Sequence, residues 1–172
     1  MVSLADKKSK HYLHSTLRER IVEHVFVGDV LRELWSRDIF DVEVLRPEFD
    51  AGGYDLVMNR GNIERHIQFT TSLVDGKAAD IKASLKLMTK PGGCVIWILV
   101  TPELVLHSYR WLGDAPGQRL PDILSMKVAK HTKGNAGGEK GKRPGHRIIP
   151  VSQFDPPCSL NKILERLFGA LA

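Results

Sequence analysis

Residues 48–72 read EFDAGGYDLVMNRGNIERHIQFTTS, and their pattern is that of a β-hairpin. A first β-prone run, 54–58, meets the four-residue connection Asn59-Arg60-Gly61-Asn62, and a second run, 63–71, returns. Glycine-containing connections of this length between β-prone runs are a strong hairpin signal. Side chains alternate along a strand. Arg65, Ile67 and Phe69 therefore share one face, and Glu64, His66, Gln68 and Thr70 share the other. Antiparallel pairing is expected to bring Asp55 toward Gln68. A carboxylate and an amide carbonyl converging on a hairpin suit a hard cation such as magnesium, which takes oxygen ligands.

Upstream, Thr16-Leu17-Arg18-Glu19 has the form of a capping box and predicts a helix to about Ser36. Leu17, Ile21, Val25, Gly28, Leu31 and Trp35 form one stripe at helical spacing, expected to face the core. Glu23 borders that stripe, either as a surface charge or as a site residue; Glu19 and Glu33 are the other helical acids. Residues 41–45 predict a short edge strand ended by Pro47. The paired glycines Gly52-Gly53 predict a tight turn that lets backbone approach a ligand, and Asp50 is expected to brace it.

Downstream, residues 77–89 predict a second helix, with Ala78, Ile81, Leu85 and Met88 inward. The unbroken apolar run CVIWILV, 94–100, predicts a strand covered on both faces. Residues 104–112 predict a further strand, 121–129 a short helix, and 146–151 an edge strand demoted by Pro150. Ser159 is expected to cap a last helix packed through Ile163, Leu164, Leu167 and Phe168. This order predicts one α/β domain over residues 1–172: a central mixed β-sheet flanked by helices. Residues 1–14 are expected to be a loose basic lead-in, and 131–145 a basic, glycine-rich loop.

The chain's 172 residues suffice for one domain with a real core. No run of 18 apolar residues occurs, so no membrane partner is expected. The start lacks an apolar signal region and there are two cysteines, Cys94 and Cys158, which together predict a cytoplasmic, reduced protein. No cysteine–histidine spacing for zinc and no phosphate-binding glycine loop is present. The net charge of +5 is unevenly placed. Residues 127–147 hold seven basic side chains (Lys127, Lys130, Lys133, Lys140, Lys142, Arg143, Arg147) against one acid, Glu139. Such a segment collects phosphates through counterion release, which points to DNA or RNA, or else it is a solvated loop.

Gly53-Tyr54-Asp55-Leu56-Val57, followed on the next strand by Gln68-Phe69-Thr70, resembles the core of the restriction-endonuclease-like superfamily, the PD-(D/E)XK nucleases. The similarity spans roughly residues 16–101. In that family an Asp opens a hairpin strand, the next strand carries Glu or Gln, one residue, then Lys, and an acid on the preceding helix often completes the site. The resemblance implies a magnesium ion held by Asp55, the Gln68 side chain and the Phe69 carbonyl, with Glu23 helping through a water. It implies a catalytic set of Asp55, Gln68, Glu23 and Thr70, acting on nucleic acid, and a homodimer as in many such nucleases.

Thr70 stands where the family has Lys. A hydroxyl cannot offset negative charge, and losing one well-placed electrostatic stabiliser typically costs about 10²- to 10³-fold in rate. Lys77, just past the strand, is the first candidate to replace that Lys, Lys82 the second; His66 lies on the same strand face. The alternative is a catalytically inactive domain that kept the fold and binds nucleic acid or another partner.

Overall fold

The computed structural model describes residues 10–49, 51–131, 138 and 140–171. Lys133, Asp50, Glu139 and residues 1–9 of the expected lead-in lie outside them. The chain runs α1 (Ser15–Trp35), β1 (Val42–Leu45), β2 (Leu56–Arg60), β3 (Ile63–Leu73), β4 (Asp80–Ser84), a 3-10 turn (Leu85–Thr89), β5 (Cys94–Val100), β6 (Leu106–Gly113), β7 (Val128–Lys130), β8 (Lys142–Pro150) and α2 (Leu160–Phe168).

The predicted hairpin forms. Its connection is shorter than expected: Asn59 and Arg60 belong to β2 and pair with Glu64 and Ile63, so Gly61 and Asn62 alone make the turn, and β2 begins at Leu56 rather than Tyr54. β3 lies at the centre of a five-stranded sheet ordered β1-β2-β3-β5-β6. β1, β2 and β3 form an antiparallel meander, β5 joins β3 in parallel, and β6 returns antiparallel. The sheet is therefore mixed, and β5 is buried on both faces, as its unbroken apolar run predicts.

The two faces are covered differently. Val22, Phe26, Val30 and Leu34 of α1 and Ile163, Leu164, Leu167 and Phe168 of α2 pack on Ile67, Ile96, Ile98 and Trp111. The opposite face, through Val95 and Trp97, meets Ile81 and Ala83 of β4, Ile149 of β8, Leu87 and Ile123. That second layer is a three-stranded sheet, β4-β8-β7, which periodicity does not predict. The helix expected over 77–89 is instead β4 and the 3-10 turn. Ile81 and Ala83 are buried two residues apart, a strand period, whereas the helical expectation took Ile81 with Ala78, Leu85 and Met88 at spacings of three and four. The helix expected over 121–129 is turns followed by β7. β8 is the middle strand of its sheet rather than an edge. Its Pro150 closes the strand, and Pro144 falls where the register with β7 shifts, both places that need no ladder N–H.

α1 also departs from expectation. A helical turn at residues 10–13 precedes it, and Arg18 N already donates to His14 O at 2.9 Å. Thr16 and Glu19 thus lie inside the helix, whose N-cap is His14 with no side-chain cap, so the capping box does not form at its start. The predicted stripe faces outward: Leu17 is 60% exposed and Trp35 71%. A helix apolar on two opposite sides gives periodicity no means of choosing between them. His11, expected in a loose segment, is buried and its Nε2 lies 2.9 Å from Pro102 O.

Ser159 caps α2 as expected, accepting from Lys162 N at 3.4 Å. The far end of α2 is held by Arg65 from β3. This fully buried guanidinium donates to Leu167 O at 2.9 Å, Arg166 O at 2.5 Å and Asp114 O at 3.0 Å, and lies 5.3 Å from the Trp111 ring. Helix C-terminal carbonyls lack intrahelical partners, and a cation there also meets the helix dipole favourably. Burial pulls the Arg65 pKa below its usual value.

Candidate functional site at the open end of the hairpin

Asp55 sits one residue before β2. Its N–H donates to Ile67 O at 2.8 Å, and its Oδ2 accepts from Phe69 N at 2.7 Å. The carboxylate thus continues the ladder where backbone pairing stops. Gly53 makes the approach to this point possible: its φ is +73° and an added Cβ would lie 2.4 Å from Ser84 Cβ. What comes close to the glycine turn is β4, not a ligand as its sequence suggests.

Above this end lies α1. A cavity of about 160 Å³ opens between them, lined by Thr16, Glu19, Arg20, Val22 and Glu23 from the helix and Asp55, Phe69, Thr70 and Thr71 from the hairpin. Glu23, Asp55 and Thr70, three of the residues singled out from sequence, therefore do share one site.

Glu23 is not a surface charge. Its side chain is 6% exposed and clamped by two guanidiniums: Arg20 Nη1 is 3.2 Å from Oε2, and Arg46 Nη1 pairs with Oε1. Arg46 follows β1 directly and crosses to the helix. Neither arginine emerged from the sequence reading. The one local signal was the i, i+3 spacing of Arg20 and Glu23; the Arg46 contact depends on how β1 packs.

Gln68 does not join the site. Its strand partner is Val95, whose side chain belongs to the second layer, and its Nε2 donates to Lys82 O of β4 at 2.8 Å. Strand parity paired it with Asp55 only on the assumption that Asp55 lay within the strand. The two candidate replacements for the family Lys are also elsewhere. Lys77 is exposed in the connection between β3 and β4, and Lys82 Nζ donates to Lys130 O at 2.9 Å. His66 is buried with Nδ1 2.8 Å from Pro91 O and its ring edge-on to Tyr54.

This donor set does not fit a resident divalent cation. Of the ligands that the resemblance implies, Asp55 and Phe69 are adjacent but Gln68 is committed to β4. The helix acid that would add negative charge is already neutralised. Among the described residues no three His, Cys, Asp or Glu side chains gather so as to hold a metal ion.

The basic segment divides in two. Lys127, Lys130, Lys140 and Lys142 are exposed around β7 and the start of β8. Arg147 is instead structural, donating to Leu124 O at 3.1 Å and Pro144 O at 2.7 Å, and Arg143 Nη2 lies 3.1 Å from His146 Nε2. Residues 142–145, expected in a loop, belong to β8. No described helix is long and apolar enough to cross a membrane. No family model, curated protein or solved structure matches this chain.

Proposed function

We propose that the chain is a nucleic-acid-binding domain of restriction-endonuclease-like kind whose hairpin site does not cleave the strand it binds. The clamp of Arg20 and Arg46 on Glu23 carries this reading. A metal-dependent phosphodiesterase site needs uncommitted anionic oxygens around its cation. Here the helix acid is charge-balanced by protein, the Gln68 amide holds β4, and Thr70 brings no cation. The placing of Asp55 at a strand opening, with a helical acid in the same cavity, supports kinship with that superfamily. The exposed lysines of β7 and β8 supply the phosphate grip.

A second reading has one observation in its favour. Asp55 and Glu23 line a common cavity, so slow magnesium-dependent cleavage would follow if Arg46 yielded its place.

One experiment separates them. Labelled duplex DNA, single-stranded DNA and RNA are titrated with the chain across a salt series, and supercoiled plasmid is incubated with it in magnesium or manganese. Salt-sensitive binding without nicking is expected. Replacing Lys130, Lys140 and Lys142 by Ala should weaken binding to every sequence and reduce the slope of log affinity against log salt by up to about 3. Thr70→Lys should leave the plasmid intact. Nicking that disappears in Asp55→Ala would establish the second reading, and absence of binding at low salt would overturn both.

A further inference from the structure

We propose that the outer face of α1 is the contact surface between two copies of this chain. The proposal is independent of what the hairpin cavity does.

That face is apolar over most of the helix. Leu17, Ile21, Val25, Leu31 and Trp35 are between 37% and 71% exposed, and Phe40, 64% exposed, stacks edge-on against Trp35 at 5.1 Å. They extend the patch along a helix about 30 Å long. From these exposures and typical side-chain areas the patch offers on the order of 600 Å² per copy, well above an ordinary scattered surface hydrophobe. Two copies would bury about 1,200 Å², the lower end of the range for specific protein interfaces.

Gly28 stands at the middle of this face. A Cβ built there meets no atom within 4 Å, so nothing in the fold requires a glycine. Glycine is nevertheless the least helix-favouring residue after proline. What it uniquely allows on an outer face is close approach by another backbone.

The spacing around Gly28 fits a second copy of the same helix. A two-fold axis through Gly28 sets each residue against the one equally far on its other side. Val25 then meets Leu31 and Ile21 meets Trp35, apolar against apolar. Only His24 and Arg32 bring basic groups together, and both are exposed. Self-complementarity of one patch is what an isologous dimer needs, whereas an unrelated partner would impose no such symmetry.

The test is sedimentation velocity on the full chain from 1 to 200 µM, with circular dichroism as a check on folding. A reversible dimer is expected. Ile21→Glu and Leu31→Glu should raise its dissociation constant at least tenfold with helix content unchanged. Gly28→Leu is the sharper variant: in the monomer the new side chain enters open space, but at the dimer axis it separates the helices. It should therefore raise thermal stability at low concentration and weaken the dimer by tenfold or more. A chain that stays monomeric to 200 µM, or a dimer indifferent to all three substitutions, overturns the proposal.

Discussion

Arg46, one residue past β1, holds the Glu23 carboxylate on α1 and so ties the edge of the sheet to the helix above it. One acid between two guanidiniums leaves a net positive charge where a cation site needs a surplus of negative charge. The same contact locks α1 over the open end of the hairpin. Removing Arg46 leaves Glu23, 6% exposed, with Arg20 alone. Breaking a buried pair costs about 3–5 kcal/mol, but Arg46 is itself partly exposed, which lowers the expected loss for Arg46→Ala to about 1–2 kcal/mol. Urea unfolding measures it. In a Glu23→Gln background the same substitution should cost less than half as much; equal losses in both backgrounds would show that the pair does not couple.

Arg65 fastens α2 to the sheet. Arg65→Met keeps the buried stem and removes the donors to Leu167, Arg166 and Asp114 carbonyls. Each buried acceptor left without a partner costs about 1–3 kcal/mol, so a loss of about 3 kcal/mol is expected. Amide exchange should speed up first in α2. Unchanged protection there would mean that the apolar face of α2 suffices to hold it.

Two glycines should respond in opposite senses to alanine. Gly92 has φ +55°, and a Cβ there would lie 2.0 Å from Glu64 O, a backbone atom that cannot swing aside. Gly92→Ala should cost about 3 kcal/mol or more. Gly28 faces open space in a helix interior, so Gly28→Ala should gain about 0.5–1 kcal/mol, read from denaturant midpoints at low protein concentration. Destabilisation at both positions would refute the placing of Gly28 on the outer face.

Burial pushes the Cys94 thiol from 9.0 to about 12. A raised folded-state pKa means the folded chain retains a proton that the unfolded chain releases. Its contribution to stability is intact below pH 9 and is lost as pH climbs toward 12. Stability of the native chain should therefore fall over that window, and fall less for Cys94→Ala relative to that variant's own value at pH 8. At pH 8 a thiol reagent should modify Cys158, which is partly exposed, and reach Cys94 only on unfolding. Labelling of Cys94 in the folded chain would show the β5 core to be open.

Much of the layout was legible in the residues. The Gly61-Asn62 turn between β-prone runs announces the β2–β3 hairpin, the apolar run announces β5 as a doubly covered strand, and Ser159 announces α2. These features are local: each depends on turn chemistry, strand composition or a cap within a few residues. The second sheet was not legible. β4 pairs with β8 across more than 60 positions of chain, and Ile81 and Ala83 carry too few apolar positions to separate a strand from a helix turn. The candidate site was half legible. Asp55, Glu23 and Thr70 line one cavity, while Gln68, Lys77 and Lys82 belong to other surroundings, and no local pattern marks Arg46 as the partner of Glu23.

By itself the sequence determined the strands of the hairpin, the buried β5 and the apolar inner face of α2, because each follows from hydrogen-bonding and burial preferences of neighbouring residues. Only the tertiary structure decided which of two apolar faces α1 buries, which side of the sheet Gln68 serves and which cations meet Glu23. Those outcomes depend on what packs opposite, and a side chain's charge partner can come from any part of the chain that the fold brings within a few ångströms.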